Sequence, residues 1–108
     1  MGKIIGYIQA ESEGDRIMQK ATIDSYAKNK FNVSDVEYVV EEVSSYISWK
    51  NRILSKEVLP NMEEGDVLLV HNAGRLGNSS AEVNLLLMYF ADKGVDVYEA
   101  KTGAKIAY

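Results

Sequence analysis

The chain has 108 residues, 46% of them apolar, with a single histidine, no cysteine and a formal net charge of -4. That length suits one domain with a single hydrophobic core; the lack of cysteine excludes disulfides, thiolate catalysis and cysteine-based metal sites, and the lone His71 leaves no ligand cluster for zinc, so it is read as structural or solvated. An isoelectric point of about 5.0 is the opposite of what a domain that grips DNA by itself shows, no apolar run reaches membrane-spanning length, and the start has no signal-peptide anatomy, so a cytoplasmic protein without membrane contact is expected.

Residues 3–10 read as a first strand, a near-continuous apolar run of the kind covered on both faces in a parallel sheet. A polar loop follows, and Asp15 is expected to cap a helix over residues 16–29. Its predicted inward stripe is Ile17, Ala21 and Ser25, with Met18, Thr22 and Tyr26 beside them. Residues 36–42 form a second strand, with Val36, Tyr38 and Val40 alternating. Residues 44–50 read as a mobile loop or an opening helical turn, whose Tyr46, Ile47 and Trp49 either pack on the sheet edge or mark a partner contact.

A helix is expected over residues 51–59, running out at Pro60, and then a turn at Glu63-Glu64-Gly65-Asp66. Strand three spans residues 67–70. Residues 71–78 form a loop, and a helix over residues 79–93 turns Val83, Leu86, Leu87 and Phe90 inward. Ser79 or Ser80 is its expected N-cap, and Gly94 its stop. Residues 95–100 form strand four, and residues 105–108 read as a short edge strand or a frayed tail. Helical segments between short apolar strands imply right-handed crossovers. The expected fold is therefore three-layer α/β, with a mostly parallel sheet of four or five strands and helices on both faces.

Ligands of such sheets lie beyond the carboxyl ends of the strands. There the chain places Gln9 to Glu11, the stretch ending in Arg52, and Gly74-Arg75-Leu76-Gly77-Asn78-Ser79. A strand running into a glycine-flanked arginine and then a helix aims a guanidinium and helix N-terminal amides at one point, which attracts phosphate or another anion. Gly74 and Gly77 read as backbone devices for the tight turn. Arg52 opens a helix, where the dipole disfavours a cation, and this points toward an external partner.

On these residues the chain resembles the amino-terminal catalytic domain of the serine recombinases, the resolvase/invertase family. Tyr7-Ile8-Gln9-Ala10-Glu11-Ser12 stands where family members carry a Tyr-Ile-Arg-Val-Ser-Thr strand end. Glu64-Gly65-Asp66, the strand after it and Arg75-Leu76-Gly77 match a Gly-Asp turn, an apolar strand and an Asp-Arg-Leu-Gly-Arg-Ser stretch. Lys93-Gly94-Val95 matches the end of the next helix. The resemblance covers essentially residues 1–108 as one domain. It implies metal-free, cofactor-free DNA cleavage and rejoining, in which a serine hydroxyl attacks a phosphodiester and arginines neutralise the transition state.

Carried over position by position, the resemblance keeps two catalytic groups, Arg52 and Arg75. The first arginine corresponds to Gln9, the nucleophilic serine to Glu11, the aspartate to Gly74 and the last arginine to Asn78. Strand cleavage is therefore expected to be impaired or lost, with Glu11 paired to Arg75 or Arg52 and filling the anion hole from within. The chain is expected to act through protein contacts, in a homo- or hetero-oligomer with an intact recombinase or as a remnant of a mobile element, with weak or absent DNA binding of its own.

The first alternative is an active strand-exchange enzyme. The loop before the first helix is one residue short if Gln19 matches the family's glutamine, and this shift presents Ser12 as nucleophile beside Arg52 and Arg75. A second alternative is a phosphate-binding α/β module unrelated to DNA. Family members usually continue into a long dimerisation helix and a DNA-binding domain, and this sequence is expected to end before both.

Overall fold

The structure, a computed structural model, describes residues 2–106. Strands β1 (Ile4–Gln9), β2 (Glu37–Glu41), β3 (Val67–Val70) and β4 (Asp96–Glu99) run parallel. A short β5 (Ala104–Ile106) turns back antiparallel along β4. The sheet order is β2-β1-β3-β4-β5. In register, Ile5 lies between Glu37 and Leu68, and Tyr7 between Val39 and Val70.

The period-two alternation of strand side chains divides the core into two layers. Ile5, Tyr7, Leu68, Val70 and Val97 face one way, packed with Leu54, Val58, Met62, Leu86, Leu87 and Phe90. Those partners come from a π-helical segment (Leu54–Val58), the one-turn α2 (Leu59–Asn61) with the residue after it, and α3 (Ser80–Asp92). Ile8, Ala10, Val67 and Leu69 face the other way, against Ile23 and Ala27 of α1 (Glu13–Phe31). This is the expected three-layer α/β fold.

Local expectations fail where buried polar groups govern the packing. Helix α1 begins at Glu13 with Ser12 as N-cap, the Ser12 hydroxyl accepting from the Asp15 amide at 3.1 Å. Asp15 is thus the third helical residue, not the cap. The buried residues of α1 are Gln19, Ile23 and Ala27, whereas Ile17 is 54% exposed. The helix is rotated because the Gln19 side-chain amide donates to the Gln9 carbonyl at 2.7 Å, beyond the end of β1. Turning Ile17 inward would leave that buried carbonyl without this donor. Asn32, at φ 56°, closes α1 by donating its amide to the Ala27 and Lys28 carbonyls.

The helix expected over residues 51–59 is a 3-10 turn (Trp49–Asn51), then the π-helical segment, then α2. Pro60 lies inside α2, which continues the π-helical segment without a break, rather than beyond it. Helix α3 starts after Ser79, whose hydroxyl accepts from the Glu82 amide at 3.2 Å, and it stops at Gly94, φ 75°. Asp66 ties down the turn before β3 by accepting from the amides of Lys3 at 3.0 Å and Glu63 at 2.8 Å. Residues 107 and 108 of the predicted last strand lie outside the described residues.

Candidate functional site

Strand β1 lies between β2 and β3, so the chain leaves β1 toward one side of the sheet and leaves β3 toward the other. A crevice at the carboxyl ends of β1 and β3 follows from this reversal. Gln9 ends β1, and the 3-10 turn Ala73–Leu76 after β3 carries Arg75 to the same place.

Arg75 is anchored on every side. Its Nη1 and Nη2 donate to Asp15 Oδ2 and Oδ1 at 3.1 and 3.2 Å, a bidentate ion pair. Its Nε donates to Asn72 Oδ1 at 3.1 Å, and Nη1 also reaches the Gln9 carbonyl and Gln9 Oε1, each at 3.4 Å. Asn72 Oδ1 also meets His71 Nδ1 at 2.9 Å. Asp15 can reach Arg75 because it stands four residues before Gln19 and eight before Ile23, in the row of α1 that faces the sheet.

Glu11, expected to hold one of the arginines, does not. It is exposed, and the ion pairs among the described residues leave it out. Its place in the bend before Ser12 puts it on the rim, while Asp15, one helical turn further on, enters the crevice. Ser12 is also on the rim, with a lone pair of its hydroxyl committed to the α1 cap. It lines a shallow hollow with Glu11, Glu13, Arg16 and Glu42. Three carboxylates there face one guanidinium, so a phosphodiester approaching Ser12 meets net negative charge.

Arg52 is fully buried. Its Nη1 donates to the Arg75 carbonyl at 2.7 Å, Nη2 to the Ser45 carbonyl at 3.0 Å and Nε to the Ile47 carbonyl at 3.1 Å. The two arginines therefore meet at one end of the sheet, but the Arg52 guanidinium acts as an internal strap for residues 45–52. Glu41, also buried, lies at the end of β2. It accepts from the Tyr7 hydroxyl at 2.7 Å and from the amides of Ile53 at 2.8 Å and Leu54 at 3.2 Å. Burial, and then the hydrogen bond to Glu41, raise the Tyr7 hydroxyl far above its ordinary 10.0.

The remaining predicted positions are structural here. The Gln9 side-chain amide donates to the Val43 carbonyl at 2.7 Å. Asn78 Nδ2 donates to the Tyr46 carbonyl at 3.1 Å, and the Asn78 amide donates to Glu82 at 3.2 Å. Glu82 also accepts from the Trp49 amide at 3.0 Å. Gly74 is exposed at the turn. Gly77 is required by space, since a Cβ there would lie 2.7 Å from Glu82 Cβ. Of the loop aromatics, Trp49 packs against Tyr89 with ring centres 5.7 Å apart, whereas Tyr46 is 83% exposed.

Asp15, Glu41, Asn72 and Glu82 were missed by sequence reasoning, and Gln19 was noted only for register. Asp15 did carry a signal: Ser12-Glu13-Gly14-Asp15 has the Ser-x-x-acid spacing of a helix start. The acid here serves Arg75.

The family model described as the resolvase N-terminal domain matches residues 4–107. Among solved structures, the crystal structure of the C-terminal catalytic domain of ISC1926 TnpA, an IS607-like serine recombinase, superposes with a TM-score of 0.70 at 17% identity. The match covers 92% of this chain and 67% of that one. No curated protein matches the chain. No described helix is long and apolar enough to cross a membrane.

Proposed function

We infer a function from one premise: the chain belongs to the resolvase N-terminal domain family. It is a site-specific recombinase domain linked to DNA recombination whose own strand cleavage is lost, and it acts through protein contacts, in an oligomer with itself or with an intact recombinase. The observation that carries this reading is the internal use of both surviving guanidiniums. Arg75 is matched to Asp15, and Arg52 is buried among main-chain carbonyls. Phosphoryl transfer without a metal needs such groups free to meet charge that develops in the transition state. The position matched to the nucleophile carries Glu11, which repels the phosphate that it would have to attack.

The test is covalent capture. The purified chain is incubated with a random-sequence duplex DNA library, denatured, and searched by gel and mass spectrometry for a peptide joined to a DNA phosphate. No adduct is expected, and Ser12→Asn, which keeps a helix-capping side chain while removing the hydroxyl, is expected to behave as the wild type does. An adduct formed by the wild type and lost in Ser12→Asn would establish the active alternative instead.

A further inference from the structure

We propose that the Asp15 carboxylate is an internal ligand of Arg75, standing in for a tetrahedral oxyanion, and that removing its charge opens a phosphate-binding site. The inference concerns the cleft of the previous section and rests on the family reading only for the ancestry of Arg75. The geometry is that of external anion recognition: two guanidinium nitrogens donate in parallel to two oxygens, at 3.1 and 3.2 Å. A phosphate offers the same two-oxygen face.

Every other group bonded to the Arg75 side chain is uncharged: the Asn72 amide oxygen, the Gln9 carbonyl and the Gln9 amide oxygen. These hold the guanidinium in place whether or not Asp15 is ionised, so the receptor is preorganised for whichever anion fills it. The pair is accessible, with the Arg75 and Asp15 side chains 24% and 23% exposed. Asp15 is tethered as well as charged, since the bond from its amide to Ser12 fixes it in the first turn of α1. An outside anion must therefore displace a ligand that loses no translational freedom when it binds.

The ligand chemistry is a phosphate oxyanion, either free phosphate or a phosphodiester of a nucleic-acid strand. Both are titrated, as inorganic phosphate and as a short thymidine oligonucleotide, against the folded chain at constant ionic strength, with chemical shifts as the readout. Asp15→Asn is expected to bind one of them at least about tenfold more tightly than the wild type, the scale of one charge-assisted hydrogen bond. Adding Arg75→Gln is expected to abolish the gain. Glu13→Gln removes the same unit of charge from the rim without touching Arg75 and is expected to give no gain.

Should the asparagine retain the fork to Arg75 or prevent folding, Asp15→Ala makes the same comparison. A gain with either probe supports the site, and the stronger probe identifies the source. A gain with neither probe, a gain that survives Arg75→Gln, or an equal gain in Glu13→Gln overturns it. Any of those results leaves the covalent-capture test of lost strand cleavage untouched.

Discussion

Glu41→Ala is expected to cost about 3–5 kcal/mol of unfolding free energy, because it strands three donors at about 1–3 kcal/mol each. That is a large part of the roughly 5–15 kcal/mol that holds a domain of this kind together. The carboxylate satisfies three donors at once: the Tyr7 hydroxyl and the amides of Ile53 and Leu54. Those amides open the π-helical segment, which has no side-chain cap of its own. Deleting the carboxylate orphans them together with the fully buried Tyr7 hydroxyl. Chemical denaturation measures the loss, and a cost below about 1 kcal/mol, that of an ordinary net hydrogen bond, would show that water replaces the carboxylate.

The same unit gives the protein an alkaline limit. Tyr7 ionises at 10.0 in the unfolded chain, and burial together with the Glu41 hydrogen bond keeps it protonated well above that in the fold. Below pH 10 both states hold the proton, and stability does not depend on this group. As the pH rises past 10, only the unfolded chain releases it, so stability falls by about 1.4 kcal/mol per pH unit. Tyr7→Phe is expected to remove that part of the slope.

Arg52→Ala is expected to cost a similar amount and, unlike Glu41→Ala, to release residues 45–52. Three charge-assisted bonds hold the Ser45, Ile47 and Arg75 carbonyls, each of a kind worth about 1.5–3 kcal/mol before the loop relaxes toward water. Trp49 reports the change, being the only tryptophan in the chain and packed against Tyr89. Its emission is expected to shift to longer wavelength in Arg52→Ala under native conditions. Arg52→Lys keeps the charge but not the planar fork and is expected to fall between the two. An Arg52→Ala protein with wild-type emission and stability would mean that the strap carries no load. Glu41 and Arg52 are neighbours in one polar network, so the costs of the two substitutions are not expected to add.

What the sequence showed and what it hid divide along chemical lines. Apolar runs and their spacing gave away β1, β3, α3 and the layered order, because burial of Leu68, Leu69, Leu86 and Phe90 is what hydrophobic patterning reports. The rotation of α1 was hidden, because its buried row opens on Gln19, and a polar residue in a core position is read as surface. Arg52 misled in the same way, as a charge that suggested an external partner and is in fact buried, and Glu41, also buried, was missed. Glu11 was expected to pair with Arg75 or Arg52 because alignment with the family draws attention to the nucleophile position, and Asp15 was read only as a helix cap. The helix start at Ser12 decides which acid faces inward, and that depends on a cap assigned three residues away from the true one. The pairing of Arg75 with the main chain around Gln9 had no local signature at all, since it spans 66 positions.

The most direct test of internal occupation is a nitrogen-edited spectrum of the arginine side chains, recorded with and without duplex DNA. Arg52 Nε donates to the Ile47 carbonyl, and Arg75 Nε to Asn72 Oδ1. The result expected is that the Arg52 and Arg75 signals, two of those from the chain's three arginines, each exchange slowly with water and stay in place as DNA is added, with the Asp15 carboxyl carbon also unmoved. Movement of the Arg75 signal together with the Asp15 carbon on adding DNA would contradict it, because it would show the wild-type cleft giving up its own carboxylate for a phosphodiester.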